Sequence, residues 1–245
     1  MAEAIWGTWY DLPDGDPQAF AQWSRDEYLP FLLAQPRFRW VAHYRYVGGG
    51  AQMSQVKSTI VRHSDDALIG QGTQSLVLVG ADRAHDFFDP AIDDLPLPEG
   101  FAQRLATRQG VRMAVFTLEA SVDGPSRATQ QDGAAPAPAI QMGTLRPTSL
   151  DGEFDLIKWY AQYRMPSMGR MPGAVRTRKW SGIAGWPKHG ILYEFESLQH
   201  RLDHFEKPHE SLALEPGHWT NRITRASVHA PGSPFIGERT WLGTK

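Results

Sequence analysis

The stretch FRWVAHYRYVG, starting at Phe38, sets His43 among Arg39, Tyr44, Arg45 and Tyr46. Imidazole is the one side chain there whose ordinary pKa, about 6.5, lets it move protons at physiological pH. A tyrosine hydroxyl, from Tyr28 or Tyr44, can donate to a developing oxyanion, and Arg39 or Arg45 can hold a carboxylate or enolate. His43, Tyr28 and Arg39 are therefore the catalytic candidates. The bland alternative makes His43 a half-buried strand residue bonded to its neighbour.

Further along, LQHRLDHFEKPHE puts His200 and His204 one turn apart on a helix face, a spacing that a metal can bridge. No Glu follows the first His as in the zinc-protease motif, so a solvated polar face is the simpler reading and no metal is assigned. In GILYEFES, Glu194 stands between Tyr193 and Phe195. A carboxylate in an apolar strand needs a partner if buried, and Arg176 or Arg178 on the neighbouring strand can supply it. A catalytic acid is the second reading of Glu194. The glycines at 48–50 precede neither a helix start nor a Lys-Ser/Thr pair, so they are no phosphate loop, and VGGGAQMSQVKST reads as a flexible connection or a flap over a pocket.

The elements that must position these groups occur twice. WSRDEYLPFLLAQP begins at Trp23, and WYAQYRMPSMGRMP begins 136 residues later at Trp159. At that offset Trp, Pro30 with Pro166, and Pro36 with Pro172 coincide, and Lys179 takes the place of His43. An apolar stretch precedes each segment (AIWGTWYDL and AIQMGTLRP) and an alternating one follows it. Apolar runs SLVLVGA and GILYEFES, helical stretches around 83–107 and 198–212, and closing strands VRMAVFTLEASV and RITRASVHA complete two strand–helix–strand–strand–helix–strand series. Alternation on the second strand predicts one face with Phe38, Trp40, Ala42, Tyr44 and Tyr46 and another with Arg39, Val41, His43, Arg45 and Val47, each buried or bearing a site.

The expected fold is α+β: two ferredoxin-like βαββαβ repeats fused in one chain, their sheets packed face to face as a pseudo-dimeric α+β barrel. The domain limits are 1–123 for the first unit, 124–138 for a Pro/Ala/Gly-rich linker, 139–230 for the second unit and 231–245 for a tail that packs Phe235, Ile236 and Trp241 on the body. The 245 residues are 41% hydrophobic and carry 25 basic against 27 acidic side chains, so no basic stripe invites nucleic acid. No Cys is present, which removes disulfides and thiol chemistry. No apolar stretch approaches spanning length and no signal peptide is legible, so a cytoplasmic protein without a membrane partner is the expectation.

The duplicated order resembles the dimeric α+β barrel superfamily in its tandem-fused form over roughly 4–120 and 139–230. The first helix resembles that of EthD-type proteins, whose His-x-Pro reads here Tyr28-Leu29-Pro30 and Arg164-Met165-Pro166, without the His. The resemblance implies a pocket between sheet and helices lined by the first helix and second strand. Trp23, Tyr44, Arg45 and Tyr46 are then substrate-binding candidates beside the catalytic three, with Arg178, Glu194, His200 and His204 as second-half candidates. The expected function is cofactor-independent acid–base chemistry (an isomerase, dehydratase, cyclase or lyase step through an enol or enolate) on a small apolar or aromatic molecule. Haem binding on the second-half sheet, with His200, His204 or His189 as axial ligand, is the alternative; a non-catalytic small-molecule carrier is another. Sheet edges left by a fused pair can also recruit a second copy.

Overall fold

The strand AIWGTWYD is buried along nearly its whole length on both faces, which only a sheet covered on two sides allows. The computed structural model describes residues 2–130 and 133–245. Its strands are β1 (Ala4–Asp11), β2 (Phe38–Tyr46), β3 (Arg62–His63), β4 (Ser75–Ala81), β5 (Gln109–Asp123), β6 (Ala139–Pro147), β7 (Ala174–Gly185), β8 (His189–Phe195), β9 (Ser227–His229) and β10 (Phe235–Thr244). Eight of them run β10-β2-β4-β1-β5-β7-β8-β6, and β6 pairs again with β10 to close an antiparallel barrel. Closure leaves no open edge on that ring. The two sheets thus meet edge to edge at β5–β7 and through β10, and are not simply two layers laid face to face.

Three apolar clusters follow. Ile5, Trp9, Trp40, Tyr44, Leu78, Phe116, Trp180 and Leu192 fill the barrel. One outer cluster lies beneath the first-half helices and another beneath those of the second half. The barrel holds its indoles because small residues oppose them: a Cβ on Gly80 would come within 2.1 Å of the Trp40 ring.

Alternation on β2 is interrupted. A bulge between Phe38 and Trp40 turns Phe38 under the helices, while Trp40, Ala42 and Tyr44 point into the barrel and Val41 and His43 face the helices. The helix expected over 83–107 shrinks to short turns at Ala84–Phe87 and Ile92–Asp94 and a helix at Phe101–Ala106, because Pro90, Pro96 and Pro98 interrupt any longer ladder. The closing strand expected from Arg222 is mostly helix, Trp219–Arg225, followed by the three residues of β9. The segment after it, β10, is a wall of the barrel: Phe235 and Ile236 are buried, and Trp241 is partly buried against the first-half cluster. The 124–138 segment carries a short helix, Pro125–Thr129, and sends Ala135 and Ala137 into the barrel core.

The glycines at 48–50 do precede a helix, Ala51–Thr59, which corrects the reading of a flexible connection. Its first N–H groups lack helical partners, and Glu206 of the second half accepts from Gly50 N (2.9 Å) and Met53 N (3.1 Å). Arg201 donates to Glu206 (2.6 Å) and to Gln141, and these bonds hold the Glu206 carboxyl below its ordinary value although burial alone would raise it. First-half chain thereby roofs the second half. Glu206→Gln should lower stability by about 3 kcal/mol, because it leaves Arg201 charged and buried opposite a neutral amide; an unchanged urea midpoint would remove the anchor role.

Candidate functional site

The first long helix, 17–34, does not keep one pitch. Its Ser24–Tyr28 segment is π-helical, with Leu29 N donating to Ser24 O, ahead of Pro30. The second long helix, 150–168, repeats this at Tyr160–Arg164, with Met165 N donating to Tyr160 O ahead of Pro166. A proline offers no N–H, and a widened turn is a recognised way to absorb it. The widened turn also brings residue i+5 over residue i. Tyr28 stacks on Trp23 (5.7 Å, 14°), and the Arg164 guanidinium lies over the Trp159 ring at 4.6 Å.

A cavity of about 280 Å³ lies between the first helix and the sheet. Tyr10, Ser24, Arg25, His43 and Arg45 line it, and Thr240 enters from β10. The volume is close to the roughly 300 Å³ at which ligand pockets begin. His43 is half-buried, and burial, with the Arg25 charge adding, pushes its imidazole down to about 4. At neutral pH it is an uncharged base. Its Nδ1 contacts Thr240 Oγ1, and that hydroxyl donates to the His43 carbonyl oxygen (3.4 Å). The hydroxyl oxygen then accepts Nδ1–H, which leaves the Nε2 lone pair free. Tyr10 lies 6.5 Å from the His43 ring, centroid to centroid, and burial lifts its hydroxyl to about 12, so it stays a proton donor. Arg25 and Arg45 supply positive charge at the same cavity.

The expected residues therefore separate. His43, Arg45 and Tyr46 meet at one cavity. Trp23 and Tyr28 are core residues that do not line it, because their stacked rings pack into the first-half cluster. Arg39 points to solvent and pairs with Asp82. Tyr44 faces the barrel and donates to Ala137 O (2.8 Å). Tyr10, Ser24, Arg25 and Thr240 were missed. Tyr10 was open to discovery, since it shares a strand face with Trp6, whereas Thr240 reaches His43 from a distant stretch of chain.

In the second half, Arg178 and Glu194 lie in the barrel, with Arg176 and Arg178 both donating to Glu194 (3.0 and 2.9 Å). Burial lowers the Lys179 ammonium pKa, and its pairing with Glu119 opposes that shift. His200 and His204 stack on a half-exposed helix face (5.8 Å), His200 beside Glu196 and Ser197. A tighter cavity of about 80 Å³ sits beneath the second long helix. A wider hollow, about 430 Å³, is an open apolar groove across β1, β5 and β7. Its one arginine, Arg112, is held by the carbonyls of Gly70 and Gly72.

Haem does not fit the cavity beneath the second long helix. His200 and His189 line neither that cavity nor the open hollow of about 360 Å³ that His204 and His209 line with Met171, and His189 is turned to Glu153 (3.3 Å). A cavity of about 80 Å³ is well below the size of a pocket for a drug-sized ligand, roughly 300 Å³ or more. Among the described residues no group of three or more His, Asp or Glu is placed to hold a metal ion.

No protein-family model matches the chain, and no curated protein does. Solved structures do. An anthrone oxidase-like protein superposes with a TM-score of 0.58 at 8% identity, covering 100% of this chain and 94% of its own. A candidate monooxygenase of Fusobacterium nucleatum gives 0.58 at 8% identity, covering 100% and 95%. A dye-decolorizing protein from V. cholerae gives 0.55 at 11%, covering 100% and 94%. The protein shares the fold of the dimeric α+β barrel proteins. At such identities the likeness is one of fold, and fold leaves the chemistry to the site. Among the described residues no helix is long and apolar enough to cross a membrane.

Proposed function

We propose that the protein is an enzyme that draws a proton from an activated carbon of a small apolar or aromatic molecule bound in the first-half cavity. One observation carries this: His43 presents a neutral imidazole, steadied at Nδ1 by Thr240, to a cavity that also holds the Tyr10 hydroxyl and Arg25. His43 takes the proton, and Tyr10 and Arg25 stabilise the enolate oxygen. Two neighbours of TM-score 0.58, called anthrone oxidase-like and a candidate monooxygenase, support dioxygen as the acceptor of that enolate over elimination or isomerisation. The equal strand order of the two halves supports reading the chain as two fused ferredoxin-like units, and the paired π-turns before Pro30 and Pro166 are the part of the EthD-type likeness kept in that reading.

Proton abstraction can be watched without knowing the product. Aromatic ketones, phenols and lactones incubated with the protein in D2O without oxygen should exchange the acidic C–H, followed by proton NMR, and the same compounds should consume oxygen in air. A panel that shows neither exchange nor turnover, while compounds of that class bind at His43, would leave the cavity a carrier site.

A further inference from the structure

The second-half cavity is built differently. Arg164, 1% exposed, reaches it from the second π-turn, and its Nε and Nη1 have no hydrogen-bond partner. Its known company is aromatic: Trp159 at 4.6 Å and Phe205 at 5.1 Å. Other buried polar atoms on the same wall are also unpartnered: Thr220 Oγ1, Trp159 Nε1 and both ring nitrogens of His229. These are donors or can turn a donor inward. The one carboxyl lining the cavity, Glu210, makes no hydrogen bond to Arg164 Nε or Nη1. Burial raises its pKa, while the charges of Arg164 and Arg201 pull it down. Nearby Arg201 is already matched with Glu206. Glu210 is near enough to feel the Arg164 charge, yet the Arg164 Nε and Nη1 groups stay open, and buried donors left open call for an acceptor.

We propose that this cavity binds a short-chain aliphatic monocarboxylate, with its head on Arg164 and its tail against Val56, Leu156, Ile191 and Ile223. Arginine presents parallel N–H groups that match a carboxylate at two oxygens. The about 80 Å³ available equals the share of roughly two to three waters, which admits acetate to butyrate and excludes an aromatic acid. Apolar walls suit a methylene tail and disfavour an inorganic anion, which would leave them bare. The roof helix Ala51–Thr59 supplies Met53 and Val56 to those walls, so first-half chain completes a second-half site. The site lies in the opposite half from His43, and it stands or falls apart from the proton-abstraction reading.

The test is thermal unfolding of the whole protein at constant ionic strength. Propionate or butyrate should raise Tm in a saturable way, as a ligand of the native state must. Propionamide and butyramide, of the same shape without charge, should not, and benzoate should not for want of room. Arg164→Met, of similar bulk and without the N–H groups, should abolish the response in a protein that still unfolds cooperatively. Equal shifts from acid and amide, no saturable shift from any of the acids, or a full response in Arg164→Met would each overturn the site. If Arg164→Met does not fold, the acid–amide comparison in the wild type decides by itself, with isothermal titration as its check.

Discussion

Glu194→Leu should cost the protein about 3–5 kcal/mol of stability, read as a fall in urea midpoint. Glu194 is fully buried in the barrel, and it is the carboxylate shared by Arg176 and Arg178, whose side chains are 3% and 2% exposed. Removing it strands two guanidinium groups in a wall whose neighbours are Trp40 and Trp180, 5.9 and 5.4 Å from Arg178. Burial already presses the Arg178 pKa down to about 10 with the carboxylate in place. The carbonyls of Ala134 and Ala135 accept from Arg176, and Glu194 accepts Ala137 N (3.0 Å), so the same change loosens the segment joining the halves. The triple change Arg176→Met, Arg178→Met, Glu194→Leu should recover much of the loss, because apolar side chains of similar bulk replace a buried ion cluster without stranding a charge. A single variant as stable as the wild type would mean that water or another group reaches the arginines.

That cluster shows what a sequence can carry. The apolar run GILYEFES placed Glu194 in a strand and offered Arg176 or Arg178 as its partner if buried, and the pairing follows from the adjacent register Arg176↔Glu194. The strand order was legible for the same reason, since apolar runs and turn residues recur in both halves. Alternation cannot say which buried face is the barrel and which lies under helices. Tyr44 and His43 sit side by side in sequence, yet one points to each. Trp23 and Tyr28 were placed at the pocket because a helix lines it, but the π-turn rotates them into the core and delivers Ser24 and Arg25 to the cavity instead. The Arg164-Met165-Pro166 motif was visible as a departure from a histidine pattern; only burial reveals that the replacement is a guanidinium with two nitrogens left without a hydrogen-bond partner. The roof helix and Thr240 depend on contacts with the opposite half or the distant C-terminal strand, and no local pattern encodes those.

His43→Gln should lower kcat by about 10²–10⁴-fold on any substrate that exchanges its C–H in the wild type. Gln keeps a polar contact toward Thr240 and much of the bulk, but it cannot take a proton, so this variant separates proton transfer from packing. His43→Ala should lose about as much. Lys179→Ala at the matching position should instead lose stability with little change in rate, because Lys179 is tied to Glu119 and lies outside both cavities. The pH profile carries the signature of burial. An ordinary histidine would place the acid limb of kcat/KM at about 6.5. His43 is pushed down to about 4 by burial and by Arg25, so the neutral, active form persists on acidification and the limb should lie well below 6.5. Stability moves with it. In the unfolded chain the ring takes its proton near pH 6.5, and in the folded protein only near 4, so the stabilisation present above pH 6.5 is lost as pH falls through that window. His229 and His209, lowered to about 3 and 4 by burial, add the same sign. Activity should therefore end on the acid side by a sharp loss of structure near or before the catalytic limb, and circular dichroism recorded on the assay samples will separate the two. A rate that titrates at 6.5 in a protein still folded would show either that His43 is hydrated like a surface histidine or that another group takes the proton, and a limb that survives in His43→Gln would single out the second.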